Sequence, residues 1–181
     1  MTKKALILVD IQNDYFPGGS WTLENADAAA ENASRVLENA RNAGDLIVHV
    51  RHENPNPQAP FFVPGTEGAE IHERVSPQGD EAVITKNFPN SFRQTDLKSV
   101  LDASGITDVT ICGSMSHMCI DATTRAAADH GYAVTLIHDA CATRDVAFNG
   151  VDVPASATHA AFMAALGSAY AQVTSADEYL G

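Results

Sequence analysis

Apolar residues along the chain fall into short runs separated by longer Ala-rich stretches with a period of three to four. The runs at 5–11, 46–50, 83–86, 109–113, 133–138 and 171–174 are mostly apolar at consecutive positions rather than alternating. That pattern predicts parallel strands covered by helices on both faces. Between the first two runs, Ala26, Ala29, Ala33, Val36, Leu37 and Ala40 make one apolar helical face, and Gly44 supplies the stop. Leu97, Val100 and Leu101 mark a short helix that ends before Gly105. A third helix runs over 118–129, with Asp121 and Arg125 as an i,i+4 pair. Pro154 opens a fourth, in which Phe162 and Leu166 share a face and which ends near Gly167. Repeated βα units predict an α/β fold, a six-stranded parallel sheet with helices on both faces, as a single domain over 1–181. The irregular stretch at 52–80, with Pro55, Pro57, Pro60 and Pro64, is expected to form a lid or pocket wall.

Charge narrows the partners. With 11 Lys and Arg against 23 Asp and Glu, the formal net charge is −12. Such a surface repels phosphate, so nucleic acid and anionic membrane are excluded as partners. The apolar start, Ala5 to Val9, is stopped by Asp10 and reads as a buried strand, not a targeting segment. No apolar stretch reaches the roughly 18 residues of a membrane span. The 3 cysteines, at 112, 119 and 141, form no CxxC pair, which fits a reducing cytoplasm better than a disulfide framework.

Open α/β sheets bind ligands at the carboxyl ends of their strands. The first strand ends at Asp10, with Gln12, Asn13 and Asp14 just beyond; the third ends at Lys86; the fourth ends at Gly113-Ser114, with Cys119 following at a helix start. An acid, an amine and a thiol are thus delivered to one sheet edge by different strands. Each has a plainer reading, because Asp caps turns, Lys is commonly solvated and Cys is among the most buried residue types. Cys112, within a strand, and Cys141, just after one, are read as packing. A thiol with an ordinary pKa near 8.5 needs about 2 kcal/mol to become thiolate at neutral pH, and a helix terminus supplies only about 0.3–1 kcal/mol. A neighbouring ammonium, or a carboxylate that takes the proton, makes up the difference. Phe16, Phe61, Phe62 and Trp21 could wall an apolar pocket, although packing explains each of them individually. There is no P-loop, GxGxxG or HExxH, so no nucleotide cofactor is expected.

Three segments, taken together, are specific. Leu8-Val-Asp10-Ile-Gln12-Asn-Asp14-Tyr-Phe16, Ile84-Thr-Lys86-Asn-Phe-Pro-Asn-Ser-Phe92, and Ile111-Cys-Gly-Ser-Met-Ser-His-Met-Cys119 through Tyr132 resemble the isochorismatase-like cysteine hydrolases. His138-Asp139-Ala140 and Thr158-His159 continue the likeness, which covers essentially the whole chain. The resemblance implies a Rossmann-like sheet and a catalytic triad of Asp10, Lys86 and Cys119. It also implies an oxyanion hole from the backbone N–H groups of Met115 and Cys119, with a cis peptide between Ser114 and Met115. Gln12, Phe16, Phe62, Ser114 and His117 are the substrate-binding candidates, and a homo-oligomer, dimer or tetramer, is expected.

The presence of Cys119 favours hydrolysis of a C–N bond in a small amide-type substrate through an acyl-enzyme. Nicotinamidases of this family carry an Asp-x-His metal pair; here the stretch reads Val50-Arg51-His52-Glu53-Asn54. No metal or other cofactor is therefore expected, with His52, Glu53 and His72 as the only ligand candidates. His49 and His52, three apart, face opposite sides of a strand. The alternatives are a metal-dependent nicotinamidase-like amidase, a thiol redox protein using Cys119, and a non-catalytic binding module on the same scaffold.

Overall fold

The computed structural model of the protein describes residues 3–181. Six parallel strands form the central sheet: β1 (Lys4–Val9), β2 (Leu46–His52), β3 (Ala82–Lys86), β4 (Asp108–Ser114), β5 (Ala133–Ala142) and β8 (Gln172–Thr174). Their order is β3-β2-β1-β4-β5-β8. The order reverses between β1 and β4, which pair in register from Lys4 opposite Asp108 to Val9 opposite Gly113. A doubly wound sheet opens its ligand crevice at such a switch point.

Strand alternation sorts the core into two layers. Leu6 and Leu8 of β1 pack with Ala33, Val36 and Leu37 of α1 (Ala26–Ala43), and α5 (Ala176–Leu180) joins that side through Ala176. Ala5, Ile7 and Val9 face the other way. There they meet Leu97 and Leu101 of α2 (Leu97–Ala103), Ala127 of α3 (Asp121–Asp129), and Met163 and Leu166 of α4 (Ala155–Ala169). The apolar face expected for α1 is buried at every position named for it.

Three details refine the sequence pattern. Helix α4 ends at Ala169, near Gly167 as expected, and Gly167 lies against β8, where a Cβ would stand 3.3 Å from the Val173 side chain. Met163, rather than Phe162, is the buried companion of Leu166. A small antiparallel hairpin, β6 (Val146–Phe148) and β7 (Val151–Val153), sits outside the main sheet and leaves Phe148 84% exposed.

His49 and His52 do point to opposite faces of β2. On the α1 side, Glu81 accepts hydrogen bonds from Arg41 at 2.7 and 2.9 Å and from the Gln78 backbone at 2.9 Å, and pairs with His49 Nε2 at 2.9 Å. Arg41 first, with the Gln78 N–H and His49, holds the Glu81 carboxyl down at about 2. A depressed folded-state value means that this stabilisation is complete above the ordinary carboxylate range and is lost as pH falls from about 4.5 towards 2. Glu81→Gln should therefore cost about 2 kcal/mol at pH 7 and flatten the pH dependence of stability across that window. Urea unfolding at pH 7, 4 and 3 measures both effects.

Candidate active site

The chain leaves β1 at Asp10 in a left-handed conformation, φ 52°, which Asp tolerates better than most residues and which turns the carboxylate into the crevice. On the neighbouring strand, Gly113 has φ 127°, and a Cβ there would collide with the Val9 carbonyl oxygen. Only glycine fits, and it lets β1 and β4 approach closely where the ladder to β5 slips between Ile111 and Gly113. The Ser114–Met115 peptide that follows is cis, as expected. Ser116–Ile120 then forms a single π-helical turn before α3, with the Ile120 N–H donating to the Met115 carbonyl at 3.2 Å. This turn carries Cys119 and belongs to a class of helical irregularity frequent at functional sites.

Asp10, Lys86 and Cys119 meet in the buried crevice. Lys86 Nζ lies 2.7 Å from Asp10 Oδ2 and donates to Cys119 Sγ at 3.3 Å. Relative exposures are 0% for Asp10, 1% for Lys86 and 6% for Cys119, so solvent screens this triad very little. The Oδ2 contact is an ion pair whose angles fall short of a hydrogen bond, and Oδ1 has no hydrogen-bond partner among the described residues. Burial opposes the Lys86 ammonium, but Asp10 and then Cys119 outweigh it and raise its pKa, so the lysine stays charged. Burial pushes the Cys119 thiol well above its ordinary range, Asp10 pushes it further, and Lys86 draws it back only in part. The resting thiol is therefore protonated, and the weight of activation shifts from the ammonium to the carboxylate that can take its proton.

A fourth side chain completes the cluster. His52 ends β2 directly opposite Lys86 in the β2–β3 register, and its Nδ1 is 2.9 Å from Lys86 Nζ. Burial first, and Lys86 second, hold the His52 imidazole down at about 4, so it is neutral. One polar atom each from Asp10, His52 and Cys119 lie within 4.8 Å of one another. This set does not suit a divalent ion, because the Lys86 ammonium already stands in contact with all three groups. The other two ligand candidates are elsewhere: Glu53 pairs with Arg51, and the His72 ring stacks on Phe16 at 3.6 Å. Of the three ligand candidates, His52 is the one that faces the crevice.

The remaining candidates divide. Gln12 is fully buried and its amide clamps the backbone: its Nε2 donates to the His52 and Ala69 carbonyls, and its Oε1 accepts from the His52 N–H at 2.7 Å. Phe62 is fully buried beside Tyr15, 4.6 Å between rings, and its N–H donates to Asp14 Oδ2. Ser114 is buried at the cis peptide. His117 Nδ1 pairs with Thr143 Oγ1 at 2.6 Å, which ties the π turn to the segment after β5. Tyr15, not singled out from the sequence, is 2% exposed; burial first, then Cys119 and Asp10, raises its phenol well above the ordinary value.

This arrangement, two charged groups and a thiol at the switch point of a parallel sheet, coincides with what comparison with known proteins finds. The isochorismatase domain matches residues 4–178. The chain belongs to the isochorismatase family. Among isochorismatase-family relatives, YddQ of Bacillus subtilis is 48% identical over 176 residues, covering 97% of this chain and 98% of its own. A streptothricin hydrolase of Streptomyces noursei is 38% identical over 145 residues; the match takes in 79% of this chain and 51% of that enzyme. A solved Oleispira antarctica structure, assigned to the isochorismatase hydrolases, is 53% identical with a TM-score of 0.95, covering 99% of this chain and 96% of the other. The protein is a hydrolase of the isochorismatase-like amidohydrolase family. No helix among the described residues is long and apolar enough to cross a membrane.

Proposed function

We propose that residues 1–181 act as one cysteine hydrolase domain that cleaves the C–N bond of a small amide-type substrate through an acyl-enzyme on Cys119. The observation that carries this reading is the buried contact of one ammonium with both a carboxylate and a thiol, Lys86 with Asp10 and Cys119. Asp10 takes the Sγ proton as the sulfur attacks the carbonyl carbon, while Lys86 holds both groups in place. The N–H groups of Met115 and Cys119 receive the developing oxyanion, an arrangement in which one donor is worth about 3 kcal/mol of barrier. Asp10 then hands its proton to the departing nitrogen, the C–N bond breaks, and a thioester remains. Water, deprotonated by Asp10, attacks the thioester and releases the acid, and the proton returns to Sγ.

The streptothricin hydrolase likeness supports an amide as the substrate class. Three free cysteines support a reducing, cytoplasmic setting, and the exposed Phe148 and Val151 of the hairpin support a homo-oligomer, dimer or tetramer. A panel of small amides, ureas and lactams assayed for ammonia or amine release tests the activity. Turnover of at least one member is the expected result, and none across the panel would count against the reading. The same assay after prolonged dialysis against EDTA should show unchanged kcat, because Lys86 supplies the positive charge a metal would bring. Loss of activity together with a stoichiometric metal, restored by Zn²⁺ or Mn²⁺, would overturn the metal-independent form.

A further inference from the structure

We propose that His52 is a positioning residue for the Lys86 ammonium, held in place by Gln12, and so forms a fourth member of the catalytic constellation. The inference rests on the proposed roles of Lys86 and Cys119 and goes beyond them. An ammonium has three N–H donors. Lys86 Nζ meets three acceptor groups: Asp10 Oδ2 at 2.7 Å, His52 Nδ1 at 2.9 Å and Cys119 Sγ at 3.3 Å. Two of these contacts, to His52 and Cys119, are directed hydrogen bonds and the third is the ion pair to Asp10; together they hold the head group in one orientation, with one N–H aimed at the nucleophile. Without His52 a buried donor is left unpaired and the ammonium is free to turn away from the sulfur.

The surroundings enforce the acceptor state. His52 can accept only as neutral imidazole, and the burial and ammonium that hold it down near 4 keep it so at pH 7. The charged or titratable groups it faces are Lys86, Asp10 and Cys119. Its backbone is fixed at two points, the Gln12 amide accepting from the His52 N–H at 2.7 Å and donating to the His52 carbonyl at 2.9 Å. The strand register sets His52 directly across from Lys86. Gln12 therefore reaches the chemistry through His52, and His52 through Lys86.

The test uses iodoacetamide as the probe, with alkylation of Cys119 followed at pH 7 by peptide mass mapping and melting temperature recorded for every variant. Lys86→Ala should slow alkylation by about tenfold, one pKa unit of thiol activation. His52→Ala should slow it by a similar factor. His52→Asn, whose Oδ1 can stand near the place of Nδ1, should recover to within about threefold of wild type. In the Lys86→Ala background, His52→Ala should add nothing, because its action runs through the missing ammonium. Additive effects in the double variant, or an Asn variant as slow as the Ala variant, would overturn the role of His52. An unchanged rate in Lys86→Ala alone would instead remove the proposed activation of Cys119 by Lys86, a separate failure.

Discussion

Cys119→Ala should lower kcat by about 10⁴-fold or more with little change in melting temperature. Removing the nucleophile of a covalent mechanism leaves only binding and oxyanion stabilisation, and losses of this order follow in comparable triads. The geometry distinguishes this cysteine from the other two. Cys119 alone touches a charged group, whereas Cys112 is fully buried in β4 and Cys141 donates to the Ile137 carbonyl at 3.3 Å. Cys112→Ala and Cys141→Ala should accordingly lower melting temperature and leave kcat within a few-fold of wild type. A Cys119→Ala protein that keeps a tenth of wild-type kcat would rule out covalent catalysis.

Asp10→Asn should cost both activity and stability. An amide cannot take the thiol proton or deliver one to the leaving nitrogen, and positioned acid–base groups contribute about 10²–10⁴-fold. The resting thiol sits above its ordinary range, so attack depends on that proton transfer. Stability falls for a separate reason. Asp10 is the strongest support of the Lys86 ammonium against burial, and the two side chains are fully buried together. Breaking such a pair from one side costs about 3–5 kcal/mol. The variant should therefore lose about three orders of magnitude in kcat and also unfold at lower urea. Near-normal turnover would remove Asp10 from the mechanism, and unchanged unfolding would show that Lys86 is not charged in the crevice.

The sheet and the positions of Asp10, Lys86 and Cys119 were legible because each lies at or just after the end of an apolar run, where period and polarity change together. The apolar face of α1 was legible for the same reason. Residues whose roles depend on register or on backbone close approach were not. His52 follows Arg51 at a strand end and looks like a metal-ligand candidate in one dimension; only the pairing of His52 with Lys86 across β2 and β3 shows what it faces. Gln12 presents a polar amide just beyond the buried Asp10, yet the return of the chain near Ala69 turns that amide into a backbone clamp. The π turn at Ser116–Ile120 has no periodicity of its own to betray it. Helix α5 did carry a signal: Ser175 and Glu178 form a capping box, Ser-x-x-Glu, ahead of a helix too short to show a period.

The central claim is a covalent bond to one sulfur, and trapping that bond tests it most directly. Wild-type protein is mixed with an amide it turns over, quenched in acid within the first turnovers, and weighed intact. The account predicts a mass increase equal to the acyl group, mapped to the peptide carrying Cys119, labile to hydroxylamine and absent from Cys119→Ala. Rapid turnover with no adduct at any quench time, or an adduct on any other residue, would contradict it.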